Sequence, residues 1–349
     1  MSKLESGERK RYSRQILLPE IGLTGQEKLK AARVLVVGAG GLGCPVLQYI
    51  TAAGIGEIGI IDHDVVEVTN LHRQILYNLG DVGKSKAITA AEKLSALNEF
   101  VKITPYPVKL TEENAAEIIS KYDLIIDGSD NFETRYLVND ICVALGKPWV
   151  FGSILRFEGQ VSVFNYEDGP TYRCLFPDAE EGDNCAEAGV IGILPGMIGT
   201  YMANEAIKIA CGVGKVLSGE LLVINALTNA TSVFKFNRTV TTSPVPAAKP
   251  QIKEADTELV EISWEEYEKV SETDPEHIQL VDVREDYEYE ADNFGGVNIP
   301  LSEIPDVISS FSPDQKIVFY CQSGKRSKQA ARLLAKSGFS GESYWAGGW

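Results

Sequence analysis

At 349 residues the chain exceeds what one ordinary hydrophobic core holds, so two domains are expected. With 44% hydrophobic and 23% charged residues it reads as a soluble globular protein, and a net charge of −16 argues against a nucleic-acid partner, which would want a basic footprint. No run approaches the ~20 apolar residues of a membrane span, the opening MSKLESGERKRYSRQ lacks a signal-peptide core, and six scattered cysteines do not resemble a disulfide framework; no membrane contact and a reducing, cytoplasmic compartment are expected.

Along the chain, the first two-thirds alternate short apolar runs with helical patterns. RVLVVG (33–38), GEIGIID (56–62), VKITPYP (101–107), YDLIIDG (122–128) and PWVFGS (148–153) read as strands. Between them, stretches such as LGCPVLQYITAAG and NFETRYLVNDICVALG read as helices. Continuous Val/Ile/Leu strands separated by helices predict an α/β fold with a mainly parallel sheet covered on both faces. After residue 153 the texture changes. FEGQVSVFNY, GELLVINA and ATSVFKFN predict an antiparallel extension around one helix, GMIGTYMANEAIKIACG. From Thr239 to Asp256, TVTTSPVPAAKPQIKEAD has no apolar periodicity and reads as a linker. A smaller α/β pattern occupies the rest, with strands HIQLVDV and KIVFYC and helices around WEEYEKV and KRSKQAARLLAKSG. The expected division is therefore a domain over 1–238, a linker over 239–256 and a second domain over 257–349.

Gly38, Gly40 and Gly43 form a G-x-G-x-x-G turn after a strand and before a helix, and Asp62 closes the next strand. Such glycines let backbone N–H groups approach a phosphate, and an acidic residue at that distance can hold ribose hydroxyls. By itself the motif signals only a nucleotide, and an NAD-dependent oxidoreductase or a purely structural turn stays open. The segments downstream add chemistry. IIDHDVVEVTNLHRQILY places Asp62, Asp64, Asn70, Arg73 and Gln74 just beyond the second strand; Lys84 and Lys86 come next, at the start of a helix. Asp130, in DGSDN, lies at the carboxyl end of the fourth strand, where open sheets bind ligands. Attack of a carboxylate on the α-phosphate of ATP gathers negative charge, and needs cations aimed at phosphate and a carboxylate holding Mg²⁺. Arg73, Lys86 and Asp130 supply those types, whereas hydride transfer needs none of them. The alternative for each is a solvated surface charge.

Together RYSRQILLPEIG, GAGGLG, D-x-D-x-V-E-x-x-N-L-x-R-Q and CAEAGV closely resemble the MoeB/ThiF family, relatives of ubiquitin-activating enzymes, over about residues 8 to 236. The resemblance implies a Rossmann-like fold and adenylation, by Mg-ATP, of the C-terminal glycine of a ubiquitin-like sulfur carrier protein ending in Gly-Gly. It places Gly41 and Leu42 in the phosphate turn, Asp62 on the ribose, Asn70, Arg73 and Lys86 on phosphates, and Asp130 on magnesium. Arg14 then corresponds to the residue that reaches into a partner's ATP site, so a homodimer is implied; on sequence alone it could be an exposed helix charge. Family members commonly hold a structural zinc through two C-x-x-C pairs. Here Thr171 stands where the partner of Cys174 would be and the second pair is absent, so no structural zinc is expected, and Cys174 should be a small buried apolar residue. Cys185, in GDNCAEAGV, falls in what should be a mobile loop over the carrier's tail. The family uses that cysteine to form a thioester or acyl disulfide, or not essentially at all. Cys44, Cys142 and Cys211 fall inside apolar helices and are expected in the core.

YCQSGKRS, residues 320–327, ends a strand on Cys321 and starts a helix. A cysteine there is expected to be an exposed thiol facing several backbone N–H groups, which favours an anionic sulfur. The loop comprises Cys321, Gln322, Ser323, Gly324, Lys325, Arg326 and Ser327: Gly324 allows the tight turn, and Lys325 and Arg326 add positive charge at the rim. With VDVREDYEYE, GGVNIPLSEIP and LLAKSGFSGESYWAGGW, it resembles the rhodanese fold over about residues 257–349. The resemblance implies sulfur transfer through a persulfide on Cys321, with Asp282 and Arg284 bracing the loop. In that fold a further short helix usually comes after the position of GGW. The combined expectation is activation of the carrier by adenylation, then delivery of sulfur to form a thiocarboxylate, the sulfur coming from a cysteine desulfurase or thiosulfate. Conjugation of a ubiquitin-like protein with a vestigial rhodanese domain, an oxidoreductase fused to a sulfurtransferase, and an inactive scaffold are the alternatives.

Overall fold

The computed structural model of the chain describes residues 4–177, 189–239, 259–275 and 277–347. They form two compact units, Met1–Thr242 and Ser243–Trp349.

In the first unit, β1 (Arg33–Val37), β2 (Glu57–Ile61), β3 (Lys102–Tyr106), β4 (Leu124–Asp127) and β5 (Trp149–Leu155) are parallel neighbours. β6 (Glu158–Phe164), β7 (Glu220–Asn225) and β8 (Ala230–Lys235) continue the same sheet antiparallel, giving the order β3-β2-β1-β4-β5-β6-β7-β8. The chain reverses at β1, since β2 and β4 flank it, so their carboxyl ends open a crevice there. Alternate residues of each central strand feed two cores, as the two-residue period of a strand demands. Val34, Val36, Ile58 and Ile60 join one with the helices Gly43–Ala53 and Leu194–Cys211. Leu35, Val37, Ile61 and Ile125 join the other with the helices Glu112–Ser120 and Phe132–Ala144. The second core is dense in aromatics: Trp149 is fully buried and packs against Phe151, Phe164 and Tyr172 at centroid distances of 6.1, 5.1 and 5.7 Å.

In the second unit, β9 (Val260–Ile262), β10 (Ile278–Asp282), β11 (Val297–Asn298), β12 (Lys316–Tyr320) and β13 (Ser343–Ala346) form a parallel sheet ordered β11-β10-β12-β13-β9. The helix Lys325–Lys336 leads away from the end of β12. β9, β11 and β13 add to the two strands expected from the apolar runs. Among the described residues no helix is long and apolar enough to cross a membrane.

Trp149 binds the aromatic core through area, its indole N–H having no hydrogen-bond partner among the described residues. Trp149→Ala is expected to cost about 3–5 kcal/mol in the unfolding of the first unit, read as a lower denaturant midpoint with native circular dichroism retained.

Candidate functional site

A cavity of about 500 Å³ lies over the carboxyl ends of β1, β2 and β4. Its floor is the turn between β1 and the helix Gly43–Ala53. Gly38 has a φ of +86°, and a Cβ on Gly43 would lie 1.9 Å from the Gly38 carbonyl oxygen, so only glycine lets the helix start this close to the strand. Three segments tie the turn at Ala39. Its N–H donates to Asp62 Oδ2 at 2.8 Å, and its carbonyl accepts from the Tyr77 hydroxyl at 2.9 Å and from the Cys44 thiol at 3.4 Å. Burial pushes the Asp62 carboxyl above its ordinary range, the two N–H groups it accepts acting the other way.

Gly38, Gly40, Gly41, Leu42, Asp62, Arg73, Lys86 and Asp130 all line this cavity. Lys86 is not a solvated surface charge: its side chain is 7% exposed and donates to Asp64 Oδ2 at 2.9 Å. Two expected ligand contacts, Gly43 and Asn70, fall elsewhere, and Arg14 is expected at a partner's site. Gly43 is behind the lining, where its role is the close approach just described. Asn70 is buried and off the lining; its carbonyl accepts the N–H groups of Arg73 (3.1 Å) and Gln74 (2.9 Å), so it shapes the turn that presents Arg73. Arg14 is exposed on the short helix Ser13–Ile16 and does not line the cavity of its own chain.

The wall also holds residues the sequence motifs did not single out. Arg135 is buried, donates to the Ser129 carbonyl at 3.2 Å and lies between the rings of Phe132 and Phe151. Asp127 beneath it is fully buried, and burial pushes its carboxyl upward. The DGSDNFETR spacing could have found Arg135: residue 135 lies one helical turn beyond the Asn131 cap, facing back to the strand end. Lys109 and His72 complete the cationic and imidazole lining. Asp62, His63 and Asp64 bring candidate ligand atoms within 4.8 Å of one another, but Asp62 is occupied by two backbone N–H groups and Asp64 by Lys86. Asp130 is an exposed carboxylate of the same lining as Arg73 and Lys86, and unlike Asp64 it is not the one that Lys86 holds. The glycine floor, the cations and this exposed carboxylate suit a nucleotide triphosphate with a divalent cation.

Cysteines divide by environment. Cys44, Cys142 and Cys211 are buried in the core. Cys174, expected to be buried and apolar, is instead half-exposed. Burial pushes its thiol up, but hydrogen bonds with Thr171 and at Thr239 outweigh this and leave it below the usual range. Cys185 lies outside the described residues.

The expected exposed thiol at Cys321 is fully buried. Both faces of β12 are buried; residues 317, 319 and 321 share one of them, where Cys321 joins Ile317, Phe319 and Leu334, while Val318 and Tyr320 are buried on the other. Its thiol donates to Ser327 Oγ at 3.7 Å, and Sγ accepts the Ser327 N–H at 3.4 Å. Gly324, at φ +79°, turns the chain into the helix above it, while Gln322 and Ser323 are exposed. Arg326 is held by Glu288 at 2.6 Å, and the Lys325 side chain lies outside the described parts. Asp282 and Arg284 form a buried pair at 2.6 Å, the guanidinium stacking on Tyr320 just before the cysteine.

Arg73 Nη1 donates to the Thr69 carbonyl at 3.2 Å and lies 2.7 Å from His72 Nε2. Burial and then the Arg73 charge hold the His72 imidazole below its ordinary pKa, so the neutral ring is the acceptor. The contact is therefore present above that depressed pKa and lost as pH falls through it. ATP affinity measured by calorimetry should weaken, as pH falls through that depressed pKa, more in the wild type than in His72→Gln, whose amide oxygen continues to accept from Arg73.

Residues 12–245 match the ThiF family, and residues 263–349 match the rhodanese-like domain. The chain is 56% identical over 225 residues to the sulfur carrier protein adenylyltransferase of Thermus thermophilus, covering 62% of this chain and 83% of that protein. It is 40% identical to the probable adenylyltransferase/sulfurtransferase MoeZ of Mycobacterium tuberculosis, covering 99% of this chain and 93% of that protein. The crystal structure of E. coli MccB shares the fold of the first unit at 22% identity and a TM-score of 0.60, over 70% of this chain and 75% of that one. This chain belongs to the ThiF family and carries a rhodanese-like domain at its C-terminal end.

Proposed function

We propose that this chain is an adenylyltransferase and sulfurtransferase that acts on a ubiquitin-like sulfur carrier protein ending in Gly-Gly. The observation that carries the reading is the gathering of the glycine turn, Asp62, Arg73, Lys86 and Asp130 on one cavity, in a chain whose other unit cradles a cysteine sulfur. The working division is 1–238 for adenylation, 239–256 as linker and 257–349 for sulfur transfer. Its relatives of similar architecture are named for both activities.

ATP binds with its phosphates over Gly38–Leu42 and its ribose at Asp62. Asp130 holds Mg²⁺, which when bound supplies charge neutralisation at the phosphates. The carrier's terminal carboxylate attacks the α-phosphorus, the bond to pyrophosphate breaks, and an acyl-adenylate forms. Arg73 and Lys86 stabilise the charge gathered in that step. A persulfide on Cys321 then attacks the acyl carbon and expels AMP. The resulting acyl disulfide is cleaved by a thiol reductant, releasing the thiocarboxylate; Cys185 is the candidate to accept the acyl group on the way. Carrying donor and activator on one chain raises their effective concentration. The protein works in the cytoplasm as a homodimer in which Arg14 completes the partner's ATP site. It needs no structural zinc.

The test incubates the protein with ATP, magnesium, thiosulfate or a cysteine desulfurase with cysteine, a reductant and a Gly-Gly carrier. Mass spectrometry of the carrier should show exchange of one oxygen for sulfur. Arg73→Ala and Asp130→Ala are expected to slow pyrophosphate release by ~10²–10³-fold. Cys321→Ala should keep ATP–pyrophosphate exchange at the wild-type rate and abolish thiocarboxylate formation. Thiocarboxylate made at the normal rate without Cys321 refutes the sulfur-transfer half, and absence of pyrophosphate release with every carrier refutes the adenylation half.

A further inference from the structure

The backbone N–H that meets the Cys321 sulfur belongs to Ser327, and Arg326 is the residue just before it in the chain. Arg326 is not free to meet an incoming anion. Its Nη1 donates to Glu288 Oε2 at 2.6 Å and its Nη2 to Glu288 Oε1 at 2.8 Å, a two-point grip. Glu288 is itself fixed, since the same Oε2 accepts the Glu285 N–H at 3.0 Å. The pair is mostly shielded, at 29% and 20% exposure. Beyond Glu288, a negative charge on Cys321 or Glu285 would hold the Arg326 guanidinium further toward its charged form. The guanidinium close enough to sense the sulfur is therefore neutralised, by a carboxylate from the acidic helix Asp286–Ala291.

We propose that Glu288 sets the charge of the sulfur donor that Cys321 accepts, disfavouring a dianion such as thiosulfate relative to donors of lower charge. The inference rests on the sulfurtransferase reading of Cys321. In the loading step the Cys321 thiolate attacks the outer sulfur of thiosulfate, the S–S bond breaks, and sulfite leaves with the electron pair. Three negative charges enter and three leave, one of them now on the persulfide. The donor brings two of those charges past Glu288. A carboxylate at that edge repels a dianion with twice the energy it exerts on a monoanion of the same shape, and a bare Arg326 would attract it in the same proportion. Methanethiosulfonate is that monoanion: a methyl group replaces one oxygen of thiosulfate. Glu288 acts through Arg326 and is a positioning residue, not a catalytic one.

The experiment loads the full chain with thiosulfate or methanethiosulfonate and passes the persulfide sulfur to cyanide, which leaves as thiocyanate and restores the thiolate. Glu288→Gln should raise kcat/KM for thiosulfate by ~5–10-fold through KM, and that for methanethiosulfonate by only ~2–3-fold. Added salt should shrink both gains. Glu288→Asp, which keeps the charge, should stay near the wild type. Arg326→Gln provides the opposite sign, lowering thiosulfate turnover more than methanethiosulfonate turnover. Equal changes for both donors, or a loss for both with Glu288→Gln, mean that the pair only shapes the loop and overturn the proposal. A wild-type chain that transfers sulfur from neither donor overturns the sulfurtransferase reading itself.

Discussion

The approach of one helix to one strand end governs the first unit. With 1.9 Å between a hypothetical Gly43 Cβ and the Gly38 oxygen, the helix Gly43–Ala53 can begin only where two glycines permit it. That contact pins residues 38–43 into a turn in which Gly40 and Gly41 line the cavity with no side chain of their own, so a phosphate can come close to backbone there. Ala39, at the centre, carries the load of the surrounding elements: β2 through Asp62, the segment before the next helix through Tyr77, and the first helical turn through Cys44. The site is stiff because its floor is tied from three directions, and Asp62 serves both as a tie and as a candidate ribose ligand.

The second unit solves a related problem with the opposite content. Again a strand end, a left-handed glycine and a helix start form a cradle, but its occupant is supplied by the chain. Cys321 follows a strand buried on both faces, and Ser327 closes over it by donating its hydroxyl to the Gly324 or Ala346 carbonyl, each 2.9 Å away. A sulfur seated this way is hidden from solvent, with Gln322 and Ser323 forming the exposed skin of the loop.

The five parallel strands, the antiparallel extension and the glycine turn are legible in the sequence because each is a local pattern: apolar runs of strand length, turn residues and a fixed motif. β9, β11 and β13 are not, since three residues of VEI and two of VN carry no period to detect and exist only by pairing with β13 and β10. Eight of the candidate nucleotide residues share the cavity lining because motif spacing encodes strand ends. Asn70 and Gly43 look the same in sequence as their neighbours, and only packing separates a residue that touches the cavity from one that shapes it. Arg135 escapes detection because arginine on a helix reads as solvent-facing until the turn below it is known. Loop chemistry argues for an exposed Cys321, whereas β12 is covered on both faces, so the residue that follows it is buried whichever face it takes.

Charge shows how far net composition is from local function. The chain carries −16 overall, yet its cavity lining sets Arg73, Lys86, Lys109 and Arg135 against three carboxylates, Asp62, Asp64 and Asp130. Because exposed charges are screened beyond about 8 Å at physiological ionic strength, the distant excess of carboxylates weighs little on an anion once it is inside. What decides binding there is the short-range set, in a crevice whose low-dielectric walls strengthen each contact. At the sulfur loop the same rule runs the other way. Arg326 stands beside the residue that meets the sulfur, but Glu288 cancels its charge at 2.6 Å, well inside the screening distance. One acidic chain thus gathers four cations among three carboxylates on the cavity lining, with Lys86 held by Asp64 at 2.9 Å, and pairs its loop cation with Glu288 near the sulfur.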